Sequence, residues 1–556
     1  MLAVLFLIAP FYYHPNIGGE GLRIPNNITV WMMATVIIAY SLHLVLKRPT
    51  FVLPKYFIYI AAFPILITLS GFVTGVEQPM TWLFRLLFIW GGLAFFFSLF
   101  QHGLKQGRLD RILFIIVISA LLQGLVGIAQ IWLKADMPFW LPKSPNGVPS
   151  GLFQQINNQA SYQVTAIMIA GYLITRPFLT QGSKWQQVVL IITVACATFL
   201  IAVSGSRIGA LTLVLGLLII IPALWQRFKC NKKIAWALCL ALVFGGTLGL
   251  TTDDNKIIDK TLALQSGYSG NARLGIYTIA LDLINQQPLF GHGVGSFGRV
   301  FQYARPDFYK AHPDAVLPED YVSHPHNEIL FWLVESGLVA GVSLLVVLLG
   351  VILMLKQIGW QRGGAYAAML LPIFLHTEVE LPLYVSVNMF FLILLLMMGM
   401  MRHTKHKEKV LKPTSKSLLC FTFYPFLFCI QLFFFHTAKA NFDITTYYES
   451  SDLKKLTYLK EPILNPYFRD QAIWFLMGDK LYLNMDLNNN FEVEKFVRWA
   501  TQSIILEPHS ATYIRLVDAY FFLGDVKQGC LFMLQAEHIY PTYNLLTEIA
   551  SKCNST

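Results

Sequence analysis

Charge is scarce in this chain. Asp, Glu, Lys and Arg together make 13% of its 556 residues, where a soluble protein carries about 25%. Hydrophobic residues reach 55% and the mean hydropathy is +0.54. A soluble enzyme, a disordered scaffold and a nucleic-acid binder are excluded on these grounds, despite a formal charge of +11. Cysteine is sparse as well. The seven cysteines (Cys196, Cys230, Cys239, Cys420, Cys429, Cys530, Cys553) form no CxxC or Cys/His metal spacing. Only Cys530 and Cys553, both in the C-terminal segment, are placed to pair with each other. The opening apolar stretch has neither a basic leader nor a small-residue cleavage site, so it reads as a retained, short first span.

What remains is a polytopic all-α membrane protein. A spanning helix needs about 20 mostly apolar residues. That window predicts thirteen spans, at 1–13, 28–46, 55–74, 81–100, 110–133, 157–175, 186–203, 207–225, 234–250, 326–355, 364–376, 383–401 and 417–437. Basic residues collect in alternate loops: Lys47, Arg48 and Lys55; Lys105, Arg108 and Arg111; Arg176 and Lys184; Arg227, Lys229, Lys232 and Lys233; Lys356 and Arg362; and the stretch from Arg402 to Lys416. Such loops belong on the cytoplasmic side. The N-terminus is then inside, and an odd number of spans puts the C-terminal segment outside. Two domains follow: a membrane body, 1–437, with a large external loop at 251–325, and an external domain, 438–556. The latter carries 11 basic against 14 acidic residues, so the excess positive charge lies in the membrane body, where it orients helices.

The external domain reads as a helical repeat of the tetratricopeptide type. Over 511–541, small residues Ala519 and Ala536 suit helix contacts, Leu523-Gly524-Asp525 a turn and Pro541 a stop. Pro508 lies 33 residues before Pro541, close to the ~34-residue repeat. An ordinary helical hairpin fits the same pattern. In either case the domain contacts protein and has no catalytic signature.

Polar groups at membrane depth are costly and mark function. Here they gather at external helix ends instead of scattering through the bilayer as a proton relay would require. In Ser204-Gly205-Ser206-Arg207, Ser204 or Ser206 can cap the following helix, whose N-terminus favours an anion. Arg207 adds a fork suited to phosphate, or simply snorkels to the interface. Arg273 opens a segment with Leu274, Tyr277, Leu281 and Ile284 on one helical face and Asn271 as a possible cap. It ends in the glycine-rich Pro288–Phe297 stretch, which is a tight turn, since no βαβ unit surrounds it. In His324-Pro325-His326-Asn327-Glu328, Pro325 suits a first helical turn and sets His326 and Asn327 at the mouth of the tenth span. A neutral imidazole there can take a proton from a hydroxyl nucleophile, or can satisfy free helix N–H groups. Glu335 reads as a buried hydrogen-bonded group. His376, Glu378 and Glu380 make a second external cluster. No metal site is expected, and Asp253-Asp254 reads as a solvated loop.

Taken together, Gly151–Ser161 (including Gln155 and Asn157), Ser204–Arg207, Asn271–Phe297, His324–Gly341 and His376–Tyr384 resemble the O-antigen ligase/polymerase superfamily. The resemblance is nearest to the bacterial O-oligosaccharyltransferases that glycosylate pilins and other periplasmic proteins, including their appended C-terminal domain. It implies an oligosaccharide on undecaprenyl diphosphate as donor, no metal or other cofactor, and an inner-membrane location with a periplasmic site. It implies diphosphate binding by Arg207 and Arg273 and catalysis by His326. Supporting roles would fall to Gln155, Asn157, Ser206, His324, Asn327, Glu328, His376, Glu380 and Tyr384. One departure stands out: Leu381 precedes Pro382 where the family often has tyrosine, so any role of that tyrosine is lost or moved to Tyr384. The partners implied are the lipid-linked donor, membrane lipids and a periplasmic acceptor protein, with no nucleic acid. Transfer to lipid A core and repeat-unit polymerisation share the chemistry and differ in acceptor. A flippase for lipid-linked oligosaccharide would need cations reachable from both sides and no base.

Overall fold

The computed structural model describes residues 1–103, 106–252, 268–319, 321–410, 413–451, 453–541 and 553. Asp253-Asp254 lies outside the described residues, as does the side chain of Asn271. Of the described residues 78% are helical, and among them nine helices are long and apolar enough to cross a membrane. The single sheet described is a ribbon of β1 (Thr50–Pro54) and β2 (His406–Val410), antiparallel with Thr50 opposite Val410.

Several expected spans take a different form. The first is only α1 (Leu2–Leu7), because the chain tightens into a 3₁₀ turn around Pro10. The 383–401 span divides at Ser386 into Pro382–Val385 and Val387–Met401, and Ser386 caps the second piece by accepting the Met389 N–H. The 326–355 span becomes α7 (Glu328–Ile358), interrupted at Gly337 (φ 60°, ψ −150°).

The described chain falls into two compact units. The first comprises 1–62, 88–265 and 345–449. Near its centre is α2 (Ile156–Leu173), in which Asn158, Gln159, Ser161, Gln163 and Thr165 are all buried. A helix so polar is not apolar enough to stand in lipid. It is accepted because its amides bond to a neighbour: Gln159 and Gln163 donate to the Gln123 and Ala120 carbonyls of α3 (Gln106–Leu133). Around α2 pack α4 (Lys184–Ser204), α5 (Arg207–Cys230) and α8 (Trp360–His376), while α6 (Lys232–Leu250) lies on α4. Gly245 and Gly249 make that last approach close, since a Cβ on Gly245 would sit 2.1 Å from the Ala195 carbonyl oxygen.

The second unit comprises 63–87, 266–344 and 450–556. In its helix Tyr268–Gln286, the inward face is Ile276, Ile279, Ala280 and Leu283, while Leu274 and Leu281 are exposed. The face named from the sequence is therefore the outer one, and a second apolar face packs inward. Both faces are apolar at helical spacing, so periodicity alone could not choose between them. The C-terminal part forms two consecutive helical hairpins, Arg469–Asp486 with Asn490–Leu506 and Ser510–Phe522 with Val526–Ile539. Asn489 and Asp525 cap the returning helices through their side chains. Ala519 and Ala536 are fully buried at the contact, and Cys530 and Cys553 are joined in a disulfide.

The break at Gly337 is matched by the Pro288–Phe297 turn. Leu338 and Val339 N–H groups donate to the Pro288 and Leu289 carbonyls. The His292 and Gly293 N–H groups donate to those of Val334 and Glu335, at 2.9 Å each. Neither side has room for a Cβ: one on Gly337 would lie 2.5 Å from the Leu289 carbonyl, one on Gly291 2.5 Å from Ser336 N. Gly337→Ala should thus lower stability by about 1–3 kcal/mol. Gly246→Ala, with nothing within 4 Å, should leave it unchanged. Thermal unfolding of the detergent-solubilised variants checks both.

Candidate active site

The residues singled out from the sequence fall into two groups, one in each unit. In the first unit, Gly205 takes a left-handed conformation (φ 67°) that ends α4 and turns the chain into α5. Ser206 caps α5 by accepting the Gly209 N–H and donates its own proton to Asn157 Oδ1 at 2.8 Å. This bond ties the start of α2 to the start of α5. Arg207 follows as the first residue of α5, exposed, with no hydrogen bond or ion pair among the described residues. A guanidinium there reinforces the positive end of the helix dipole, and the two together favour an anion. Gln155 stands at the N-cap of α2, its Oε1 buried with no hydrogen-bond partner among the described residues.

At the other end of α8, His376 is fully buried and its Nδ1 lies 3.0 Å from Ser161 Oγ. Ser161 belongs to the same Gly151–Ser161 stretch as Asn157 but drew no separate attention in sequence, where a serine in an apolar helix looks like any other. Glu380 is half-buried, with its N–H bonded to the His376 carbonyl. Tyr384 is buried and stacks on Phe88 at 4.9 Å. Leu381 is buried as well, so the position before Pro382 serves packing.

In the second unit the helix starts two residues later than expected, at Glu328, with Asn327 as its cap. Asn327 Oδ1 accepts the Leu330 N–H at 2.9 Å. Pro325 and His326 therefore precede the helix, and His326 is held at φ 54°, a region that non-glycine residues seldom adopt and that recurs at functional sites. The His326 N–H donates to His324 Nδ1 at 3.3 Å, and the two rings meet edge to face at 4.4 Å. Since Nδ1 of His324 accepts, its proton is assigned to Nε2 in the neutral ring. Glu328 Oε1 accepts from Trp332 Nε1 at 2.8 Å. Arg273 is half-buried in Tyr268–Gln286. Three residues before His324, Tyr321 is packed on His509 and against Gly298. Burial, with Glu507 nearby, pushes its phenol up, so it stays neutral and anchors the loop.

Beneath this loop is a pair that sequence reading missed in part. Glu335 is buried, as expected, and receives the Phe297 N–H at 3.5 Å. Its ionic partner, Arg85, lies 3.9 Å away and covers the Phe331 ring at 4.2 Å. Arg85 is the one basic residue in the 81–100 window, which was the available signal. Among the described residues, no group of three or more His, Cys, Asp or Glu side chains is arranged to hold a metal.

A buried pair that loses one partner leaves a charge behind. Arg85→Met and Glu335→Gln should therefore each cost about 3 kcal/mol. The combined Arg85→Met/Glu335→Gln variant should cost less than the two single changes added together. Denaturation of the purified variants reads this coupling, and strict additivity would show that the pair is not an interaction.

Residues 192–345 match the family described as O-antigen ligase. Residues 365–552 match the family described as virulence factor membrane-bound polymerase, C-terminal. Comparison with curated proteins gave no match. The first match contains Ser206, Arg207, Arg273, both loop histidines and Glu335; the second contains His376, Glu380, Tyr384 and the C-terminal hairpins. With many helices long and apolar enough to cross a membrane and these two adjoining matches, the chain is a multi-pass membrane protein that is similar to the O-antigen ligase superfamily over these two stretches.

Proposed function

We propose that this protein transfers an oligosaccharide from undecaprenyl diphosphate to Ser or Thr hydroxyls of periplasmic proteins such as pilins, without a metal and with inversion. The observation that carries the reading is Arg207: an exposed guanidinium with no ion pair among the described residues, on a helix N-terminus whose cap is locked by Asn157. A membrane-tethered diphosphate is the ligand such a group suits, because the fork is fixed and permanently charged. In this reading Arg207 and Arg273 stabilise charge developing on the leaving diphosphate. The acceptor oxygen forms its bond to the anomeric carbon from the face opposite the diphosphate. The bond to the diphosphate breaks, its electron pair leaves with the phosphate oxygen, and the hydroxyl proton passes to His326. The His324 contact holds the His326 backbone in its unusual conformation.

The orientation that accompanies this reading has the N-terminus in the cytoplasm and residues 438–556 in the periplasm of an inner-membrane protein. The Cys530–Cys553 disulfide supports it, since such bonds persist in oxidising compartments. The paired helical hairpins, read as tetratricopeptide-like, offer a surface for a folded acceptor protein. The family descriptions matched favour a second reading, ligation to lipid A core or polymerisation of repeat units.

One experiment separates these. The intact chain is expressed in a host that makes an undecaprenyl-diphosphate glycan and lacks its own ligase, together with a pilin. Mass spectrometry should find the glycan on a pilin Ser or Thr, and His326→Ala should lower the yield by about 10²- to 10⁴-fold. Arg207→Lys should also fall sharply with the protein still in the membrane. Unmodified pilin beside glycan on lipid A core would make the chain a ligase, and near-normal transfer by His326→Ala would remove His326 as the base.

A further inference from the structure

Three helices of the first unit, α2, α5 and α8, carry the Asn157, Ser206, Arg207 and His376 group at one end. At their other ends is a second basic constellation. Arg227 lies twenty residues after Arg207 along α5, about 30 Å at the rise of an α-helix, which is the thickness of a bilayer core. Arg176 follows the end of α2, and Arg362 stands in the first turn of α8. These three arginines line one cavity of about 340 Å³, together with Leu224, Ile358 and Trp360.

Its charge is not balanced locally. Asp110 is buried and pairs with Arg176 at 3.3 Å, while its other oxygen accepts from Gln106. The side chains of Arg227 and Arg362 are exposed and have no ion pair or hydrogen bond among the described residues. The same wall includes the N-terminus of α8. There the cap is Gly359, at φ 80° and with no side chain to accept, so the first-turn N–H groups of Trp360, Gln361 and Arg362 lack helical acceptors. Trp225 and Trp360 are both exposed at this level, as tryptophans are at a membrane–water interface. Cations and helix donors thus face an opening whose rim is apolar and aromatic.

We infer that this cavity binds the phosphate group of an anionic phospholipid headgroup, on the membrane face opposite Arg207. The inference does not rest on the proposed transfer reaction. Phosphate is the anion that two forks and a helix N-terminus suit best, and the apolar rim suits the glycerol and first acyl carbons of a lipid.

The test is native mass spectrometry of the full chain, released from detergent containing equal amounts of phosphatidylglycerol and phosphatidylcholine. The wild-type protein should retain phosphatidylglycerol in preference by roughly tenfold or more. Arg227→Gln/Arg362→Gln should lose that preference, and Lys232→Gln, an exposed lysine outside the cavity, should keep it. Should the double variant prove unstable, Arg227→Gln alone breaks no ion pair among the described residues and should weaken the preference by a few-fold. Equal retention of both lipids by the wild type, or an undiminished preference in the arginine variants, would overturn the inference. A parallel arm adds inorganic phosphate without phosphatidylglycerol. Phosphate adducts that depend on Arg227 and Arg362, with no lipid preference, would assign the cavity to a soluble anion and overturn the lipid source.

Discussion

A hydrocarbon interior offers nothing to a backbone N–H or C=O that has lost its helical partner. The helix Glu328–Ile358 is broken at Gly337, and the groups released there are taken up by the backbone of the Pro288–Phe297 turn. The rest of the second unit's site depends on this exchange. It fixes Val334 and Glu335 against the turn and leaves the first segment of the helix, from Asn327 onward, as a short piece with its own cap. Glu335, held there, takes the Phe297 N–H and faces Arg85. In the glycine-rich turn, Gly291, Gly293 and Gly295 all hold positive φ, and at Gly291 backbone meets backbone with no room for a Cβ.

The first unit solves a related problem with side chains. Its central helix is lined with amides and hydroxyls: Gln159 and Gln163 bond to the α3 backbone, Asn157 to Ser206 and Ser161 to His376, while both side-chain polar atoms of Asn158 are buried with no hydrogen-bond partner among the described residues. Buried polar networks of this kind fix a single arrangement only when their members are bonded. The Ser206–Asn157 bond is the link that places Arg207 at a defined helix start while its guanidinium stays accessible.

How much of this was legible in the sequence depended on the kind of signal. Apolar windows located the long helices, and a serine cap at Ser204 or Ser206 and the helical hairpin around Gly524 followed from residue types whose local chemistry is strong, while the structure chose Ser206. The disulfide was narrowed to one pair because the other cysteines sit in apolar runs or basic loops. The inward face of Tyr268–Gln286 was illegible because both faces are apolar. The start of the tenth span was misplaced by two residues because proline and asparagine both announce a helix, and only the fold decides that Asn327 takes the cap. The unusual φ of His326 has no sequence signature. Arg85 acquires its meaning from Glu335, 250 residues away in the chain.

The small ribbon of β1 and β2 has a consequence for how the chain is threaded. Two strands that pair must lie on the same side of a membrane, so the chain crosses it an even number of times between Pro54 and His406. Seven of the long apolar helices among the described residues fall in that interval. With all seven crossing, an even total takes an odd number of crossings from the rest of the interval, where the more polar or shorter described helices are Ile156–Leu173, Trp360–His376 and Val387–Met401. Ten short hydrogen-bonded residues thus set a counting rule on more than three hundred others, and a rearrangement that added or removed one crossing would have to unpair the ribbon.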